Sequence, residues 1–200
     1  MRNINDIGTI AYYDRAAKEY FNQTVSVDMS EIAERFLEFV KPGGRIIDIG
    51  VGSGRDVLYF KEKGYQVEGI DASFELCKLA SEYTGVEIKC EKVQNWHPVH
   101  KYDGIWANAS LVHLTVDEIE EFLLRMPQLL FDDGSAYLSF KSGIVTTRDF
   151  EGRYFSNIAE EQVRRVVDNC ESMEILDIWK TDDKLNRKSF GWINFILKKK

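Results

Sequence analysis

The sequence predicts an α/β fold in which a parallel sheet carries helices on both faces. Three observations predict it. Short apolar segments alternate with segments of helical periodicity from Arg45 to Lys141, the rhythm of strand–helix–strand crossovers. The first apolar segment, Arg45–Ile49, runs into glycines at every second position, Gly50, Gly52 and Gly54, as a tight strand-to-helix turn requires. The last two apolar segments, Met173–Thr181 and Ser189–Leu197, are joined only by Asp182–Lys188. That is too short for a crossover helix, so these two strands are expected to pair antiparallel.

The elements follow in order. Ile10–Gln23 reads as a helix with aromatic positions at Tyr13, Tyr20 and Phe21. In Met29–Val40 the residues Ile32, Phe36, Leu37 and Val40 fall at helical spacing, and Asp28 or Ser30 suits the cap. Lys41-Pro42-Gly43-Gly44 stops that helix and turns the chain into the first strand. Gly54–Lys63 is a helix ended by Gly64, and Tyr65–Ile70 is the second strand. Ser73 caps a helix to Tyr83, with Gly85 just beyond it. Val86–Cys90 and Tyr102–Ala107 are strands three and four. Val116–Leu130 is a helix capped by Thr115, with Ile119, Phe122, Leu123 and Met126 on its buried face; Pro127 kinks or shortens it. Asp132-Asp133-Gly134 turns into strand five, Ser135–Lys141. Ser142–Asn157 is polar and turn-rich, and Ala159–Cys170 is a helix. Right-handed crossovers bring the strand C-termini and the glycine turn to one edge, where ligands bind.

Composition narrows the function. Two hundred residues suit a single domain. The net charge of −7 argues against a dedicated nucleic-acid surface. Cys77, Cys90 and Cys170 are far apart and offer neither zinc spacing nor a disulfide framework, so reduced thiols are expected. The three histidines lack ligand spacing, so no metal site is expected, and His97 and His100 read as surface residues. Met1–Ile10 has no basic segment followed by an apolar one, and no apolar run approaches membrane-spanning length, so a cytoplasmic location is expected.

A strand, glycine turn and helix can serve NAD, FAD or S-adenosylmethionine. A dinucleotide fingerprint needs a small third residue where helix meets strand. In the two available frames that residue is Arg55 or Val57. At the end of the second strand stands Asp71, placed to accept hydrogen bonds from both ribose hydroxyls or to cap the next helix.

The run Ile47-Asp48-Ile49-Gly50-Val51-Gly52-Ser53-Gly54, taken with Asp71, resembles the first motif of the class I S-adenosylmethionine-dependent methyltransferases. The resemblance implies a Rossmann-like, mostly parallel seven-stranded sheet whose last strand is antiparallel. It implies S-adenosylmethionine as cofactor, S-adenosylhomocysteine as product and a small-molecule methyl acceptor. Asp48, Gly50, Gly52, Gly54, Asp71 and Ala72 then belong to the cofactor site. Tyr102–His113 looks like the family's fourth strand and following short helix, which places Asn108 and Ala109 along the methionine half and turns His113 to the cleft. Tyr12–Tyr20 is similar to the lid helix of small-molecule and tellurite-resistance-type methyltransferases, where tyrosines close over the cofactor. In those relatives an arginine like Arg55 pairs the cofactor carboxylate.

The chain departs from the family where an acid usually meets the adenine amine. The stretch there is Glu91–Trp96; Val93 is assigned to the ring, Gln94 to its edge and Trp96 to the core. Leu130–Ser135 replaces the usual Lys-Pro-Gly-Gly, and the Asn-Pro-Pro-Tyr type signature of base-amine methylases is missing. The matches cover residues 12 to 141.

Methyl transfer from a sulfonium needs alignment and exclusion of water more than a strict triad. A base is needed only where the acceptor must lose a proton. His113, Tyr13, Tyr20 and Asp14 are the candidates, and His113 fits equally as a packed or capping histidine. Residues 1–40 are expected to form lid helices and 142–158 a substrate-covering loop of the one domain. In that loop Arg148 and Arg153 suit an anionic acceptor or plain solvation. Two rival readings stay open: a nicotinamide-dependent oxidoreductase, which Asp71 would serve equally well, and a non-catalytic S-adenosylmethionine-binding partner protein. The acceptor atom is open, as is the choice of monomer or homodimer.

Overall fold

The computed structural model describes residues 4–142, 146–185 and 191–200. Parts of the expected lid, covering loop and final strand, at 1–3, 143–145 and 186–190, lie outside the described residues. Two helices, α1 (Ile4–Thr24) and α2 (Ser30–Leu37), precede the alternating unit β1 (Arg45–Ile49), α3 (Arg55–Glu62), β2 (Gln66–Asp71), α4 (Phe74–Thr84), β3 (Ile88–Cys90), β4 (Tyr102–Ala107), α5 (Val116–Leu129) and β5 (Leu130–Ser142). A 3-10 turn, Leu111–His113, links β4 to α5. A small ribbon of β6 (Thr147–Arg148) and β7 (Tyr154–Phe155) then leads to α6 (Glu160–Asp168), β8 (Met173–Asp182) and β9 (Gly191–Lys199).

The main sheet has seven strands in the order β3-β2-β1-β4-β5-β9-β8. β1 to β5 pair parallel, and β9 runs antiparallel to both β5 and β8. Strand order reverses beside β1, so the connections leaving β1 and β4 diverge and open a crevice at the carboxyl edge. Successive residues point to opposite faces. Ile47, Ile105 and Leu138 join the core under α5 and α6, while Ile46, Trp106 and Tyr137 pack towards α2 and α3. Burial on both faces is why these strands read as continuous apolar runs.

The caps expected at Ser73 and Thr115 hold, while α2 has Met29 at its N-cap without a side-chain cap. Ser73 Oγ accepts the Leu76 N–H at 3.2 Å, and Thr115 forms a capping box with Glu118. Asp28 Oδ1 accepts the Ser30 N–H at 2.9 Å at the start of α2. Three expectations need correction. α1 begins six residues earlier than the pattern suggested. Gly8 is there because the helix lies against the ribbon, where a Cβ would come within 2.9 Å of the Gly152 carbonyl oxygen. α2 stops at Leu37 instead of continuing to Val40. The turn expected at Asp132–Gly134 lies inside β5 as a bulge: Tyr102 pairs with Leu130 and Gly104 with Ser135. Asp133 takes φ +64°, and the displaced acids meet Lys198 and Lys199. Pairing resumes before the bulge because Leu130 is fully buried. No described helix is long and apolar enough to cross a membrane.

α2 is held by Phe36, which is fully buried with its ring 6.0 Å from Phe60 and 5.3 Å from Trp106. Phe36→Ala is expected to lower unfolding stability by about 3–5 kcal/mol, measured by urea titration.

Candidate active site

The site begins with the glycine turn. Gly50, Gly52 and Gly54 all take left-handed φ values, +78°, +57° and +82°. The turn's amides are engaged within the protein. Gly50 and Val51 both donate to the Ile70 carbonyl, Gly54 to the Val51 carbonyl, and Gly52 to Asp71 Oδ2 at 2.9 Å. A diphosphate, which would need such amides, finds four of them taken. Beneath the turn lie acids. Asp48 is 2% exposed, and burial followed by the neighbouring Asp56 pushes its carboxyl well above the usual range. Burial also opposes the charge of Asp56. Even so, the Arg55 guanidinium at 2.6 and 2.9 Å holds it below the usual carboxylate range, helped by donors from Trp106 and Asn108.

Above the turn a cleft of about 830 Å³, its mouth included, runs between the sheet edge and α1. Gly50, Gly52, Asn108 and Ala109 line it on the side of β1 and β4. Asp71, Ala72, Val93 and Gln94 line it on the side of β2 and β3. Asp71 Oδ1 accepts the Ser73 N–H at 2.9 Å, so both carboxylate oxygens have protein donors and still keep acceptor capacity. Burial pushes this carboxyl up, against the pull of the backbone amides of Ser73, Gly52 and Ala72.

Tyr13, Tyr20 and His113 complete the lining. Tyr20 covers Gly52 so closely that a Cβ there would lie 3.2 Å from its Cε1. Helix α1 is fastened by Asp14 Oδ1, which accepts from Ser73 Oγ at 2.6 Å and the Glu75 N–H at 3.3 Å. His113 Nδ1 lies 2.7 Å from the Tyr154 carbonyl oxygen, and Nε2 lies 2.9 Å from the Tyr13 hydroxyl. A carbonyl only accepts, so Nδ1 carries the hydrogen and Nε2 takes the Tyr13 O–H. Burial pulls His113 down to about 4, which keeps the ring neutral, and pushes the Tyr13 hydroxyl far above its ordinary value.

Other expected residues lie elsewhere. Asp48 is buried under the turn, and Asp14 serves as the fastening of α1. At Gly54 an added Cβ would meet Thr84 and Ala80 of α4. Arg55 lines an adjoining chamber of about 750 Å³ that shares Tyr20, Gly50, Gly52, Asn108 and Ala109 with the first. Its guanidinium is held by Asp56 and is not presented alone to a ligand carboxylate. The Asn108 amide points inward, donating to Asp56 and accepting from Ser139. Arg153 is bound to Asp149 and Glu151 and lies 4.3 Å over the Tyr12 ring, while Arg148 donates to the Gly152 carbonyl. Neither stands ready for an anionic acceptor. His100 is half-buried on Glu68 instead of lying free at the surface, and Trp96 is in the core. Thr9, Leu76 and Ser110 also line the cleft. Sequence reading missed them; only the position of Ser110, directly after Asn108-Ala109, was a usable signal.

Comparison with known proteins gives the following. A methyltransferase-domain family model matches residues 46–134. An uncharacterized methyltransferase of Staphylococcus carnosus is 21% identical over 93% of this chain and 97% of its own length. Among solved structures, the 1,6-didemethyltoxoflavin-N1-methyltransferase of Burkholderia thailandensis, with bound 1,6-didemethyltoxoflavin and S-adenosylhomocysteine, superposes with a TM-score of 0.73. It is 19% identical and covers 100% of this chain and 91% of that one. A TehB-like SAM-dependent methyltransferase from Corynebacterium glutamicum gives 0.71 at 18% identity, covering 95% and 99%.

The buried neutral His113 has a stability consequence. Unfolded, it titrates near ~6.5; folded, at about 4. Its contribution is therefore complete above the unfolded value and is lost as pH falls through this window, by on the order of 3 kcal/mol. His113→Gln is expected to flatten that part of the pH–stability curve, measured by denaturant titration from pH 7 to pH 4.

Proposed function

We infer that this chain, which belongs to the class I S-adenosylmethionine-dependent methyltransferases, transfers the methyl group of S-adenosylmethionine to a small-molecule acceptor carrying a neutral N–H or O–H nucleophile. The residues present fit the cofactor. The bare backbone at Gly52 leaves a slot that a side chain would fill. Asp71 stands beside it with lone pairs free for two hydroxyls. When bound, S-adenosylmethionine supplies an activated methyl on sulfur, and S-adenosylhomocysteine remains.

The chain's own part is to bind, align and exclude water. Asp71 takes the ribose hydroxyls, and Val93 and Gln94 take the adenine. Tyr13 and Tyr20 shield the reacting end from solvent. His113 Nε2, through or in place of Tyr13, receives a proton from an acceptor that must shed one. With a value near 4 it is a weak base. It therefore suits an acceptor whose proton becomes acidic as the new bond forms, such as an amine or a heterocyclic N–H. A small acceptor is favoured because α1 covers the cleft with Tyr13 and Tyr20. The toxoflavin-type methyltransferase among the structural neighbours acts on a molecule of that size.

The observation that carries this reading is the engagement of the turn's amides within the protein, an arrangement hostile to the diphosphate of a nicotinamide cofactor. Calorimetric titration tests it. The protein should bind S-adenosylhomocysteine and not NADH; the reverse overturns the assignment. Asp71→Ala is expected to weaken S-adenosylhomocysteine by about 1.5–3 kcal/mol. Gly52→Val, at φ +57° and against Tyr20, is expected to abolish binding without unfolding the protein. A radiolabelled-methyl screen of amines and N-heterocycles then identifies the acceptor.

A further inference from the structure

Ser110 is an anomaly in this cleft. Its Oγ is buried and finds no hydrogen-bond partner among the described residues. Other cleft hydroxyls are engaged: Ser73 with Asp14 and Tyr13 with His113. The other orphan atom, Arg125 Nε, belongs to a guanidinium already donating to the Val93 carbonyl. Packing does not explain the hydroxyl. Ser110 wedges against Gly50, where an added Cβ would come within 2.3 Å of the Ser110 Cβ. Alanine would fill the same space without burying an unmade hydrogen bond. Nor is the hydroxyl a helix cap, since Ser110 makes no side-chain bond to the 3-10 turn it precedes.

We propose that the Ser110 hydroxyl is a binding group for the amino-acid end of the cofactor. This rests on the cofactor reading above. The adenosine end is served on the β2–β3 side, by Asp71, Val93 and Gln94. Ser110 lies against Gly50, just beyond the carboxyl end of β4. The other polar groups there are already committed. The Ala109 N–H donates to Ser139 Oγ at 2.8 Å, and both ends of the Asn108 amide are bonded inward. Ser110 Oγ is the polar side-chain atom left over where the ligand's charged amino-acid group must be met, and a buried hydroxyl can serve either its ammonium or its carboxylate.

The test compares wild type and Ser110→Ala by calorimetry with two probes. S-adenosylhomocysteine carries the amino-acid end; 5′-methylthioadenosine has the same adenosine and sulfur without it. The expected result is a roughly tenfold or greater loss of S-adenosylhomocysteine affinity, unchanged methylthioadenosine affinity, and a ligand-free melting temperature equal to or above wild type. Unchanged S-adenosylhomocysteine affinity, a parallel loss for both probes, or a lowered ligand-free melting temperature would overturn the assignment. Wild-type protein that binds neither probe overturns the cofactor reading itself, and the inference with it.

Discussion

The hydrogen bond from the Gly52 amide to Asp71 joins the two strand ends on which the site is built. It fixes the glycine turn after β1 to the end of β2 and sets the distance between the bare backbone and the carboxylate. It takes one lone pair of Asp71 and leaves the rest. A glycine is needed at the donor because the amide reaches Asp71 only from a left-handed conformation. The same position lies against Tyr20, so floor and roof meet at one residue with no side chain.

Under that junction the protein keeps the carboxyls of Asp48 and Asp56 out of water, with the Arg55 guanidinium bound to Asp56. A buried ion pair such as Arg55–Asp56 adds little net stability against an apolar replacement, but losing one partner leaves a stranded charge. Trp106 and Asn108 add donors to Asp56, so the pair is fully bonded and ties α3 to β4. His113 and Tyr13 contribute no charge at all, because burial keeps both neutral.

Much of this was legible in the sequence because it is written in backbone requirements and periodicity. Glycines at alternate positions, an acid at the end of the second strand, and Ser73 and Thr115 before helical runs each carry a local signal, and the structure places them as read. What was missed depends on packing. Residues adjacent in a helix do not normally face each other, so Arg55 was read as available to a ligand when its side chain curls onto Asp56 at the first turn. Asp132-Asp133-Gly134 has turn chemistry and does turn, but the burial of Leu130 restores pairing before it, which no local pattern announces. Arg148 and Arg153 looked like open loop charges; the ribbon that closes on α1 engages them.

The placement of β9 between β5 and β8 bears on how the chain is made. β8 leaves the ribosome before β9 yet has no strand to pair with until β9 arrives, because β9 lies between it and β5. Through that interval the long outer edge of β5 stays open, the kind of edge that recruits other chains. Completing the sheet is therefore a non-local event, and the open edge of β5 is exposed to misassembly until β9 pairs with it.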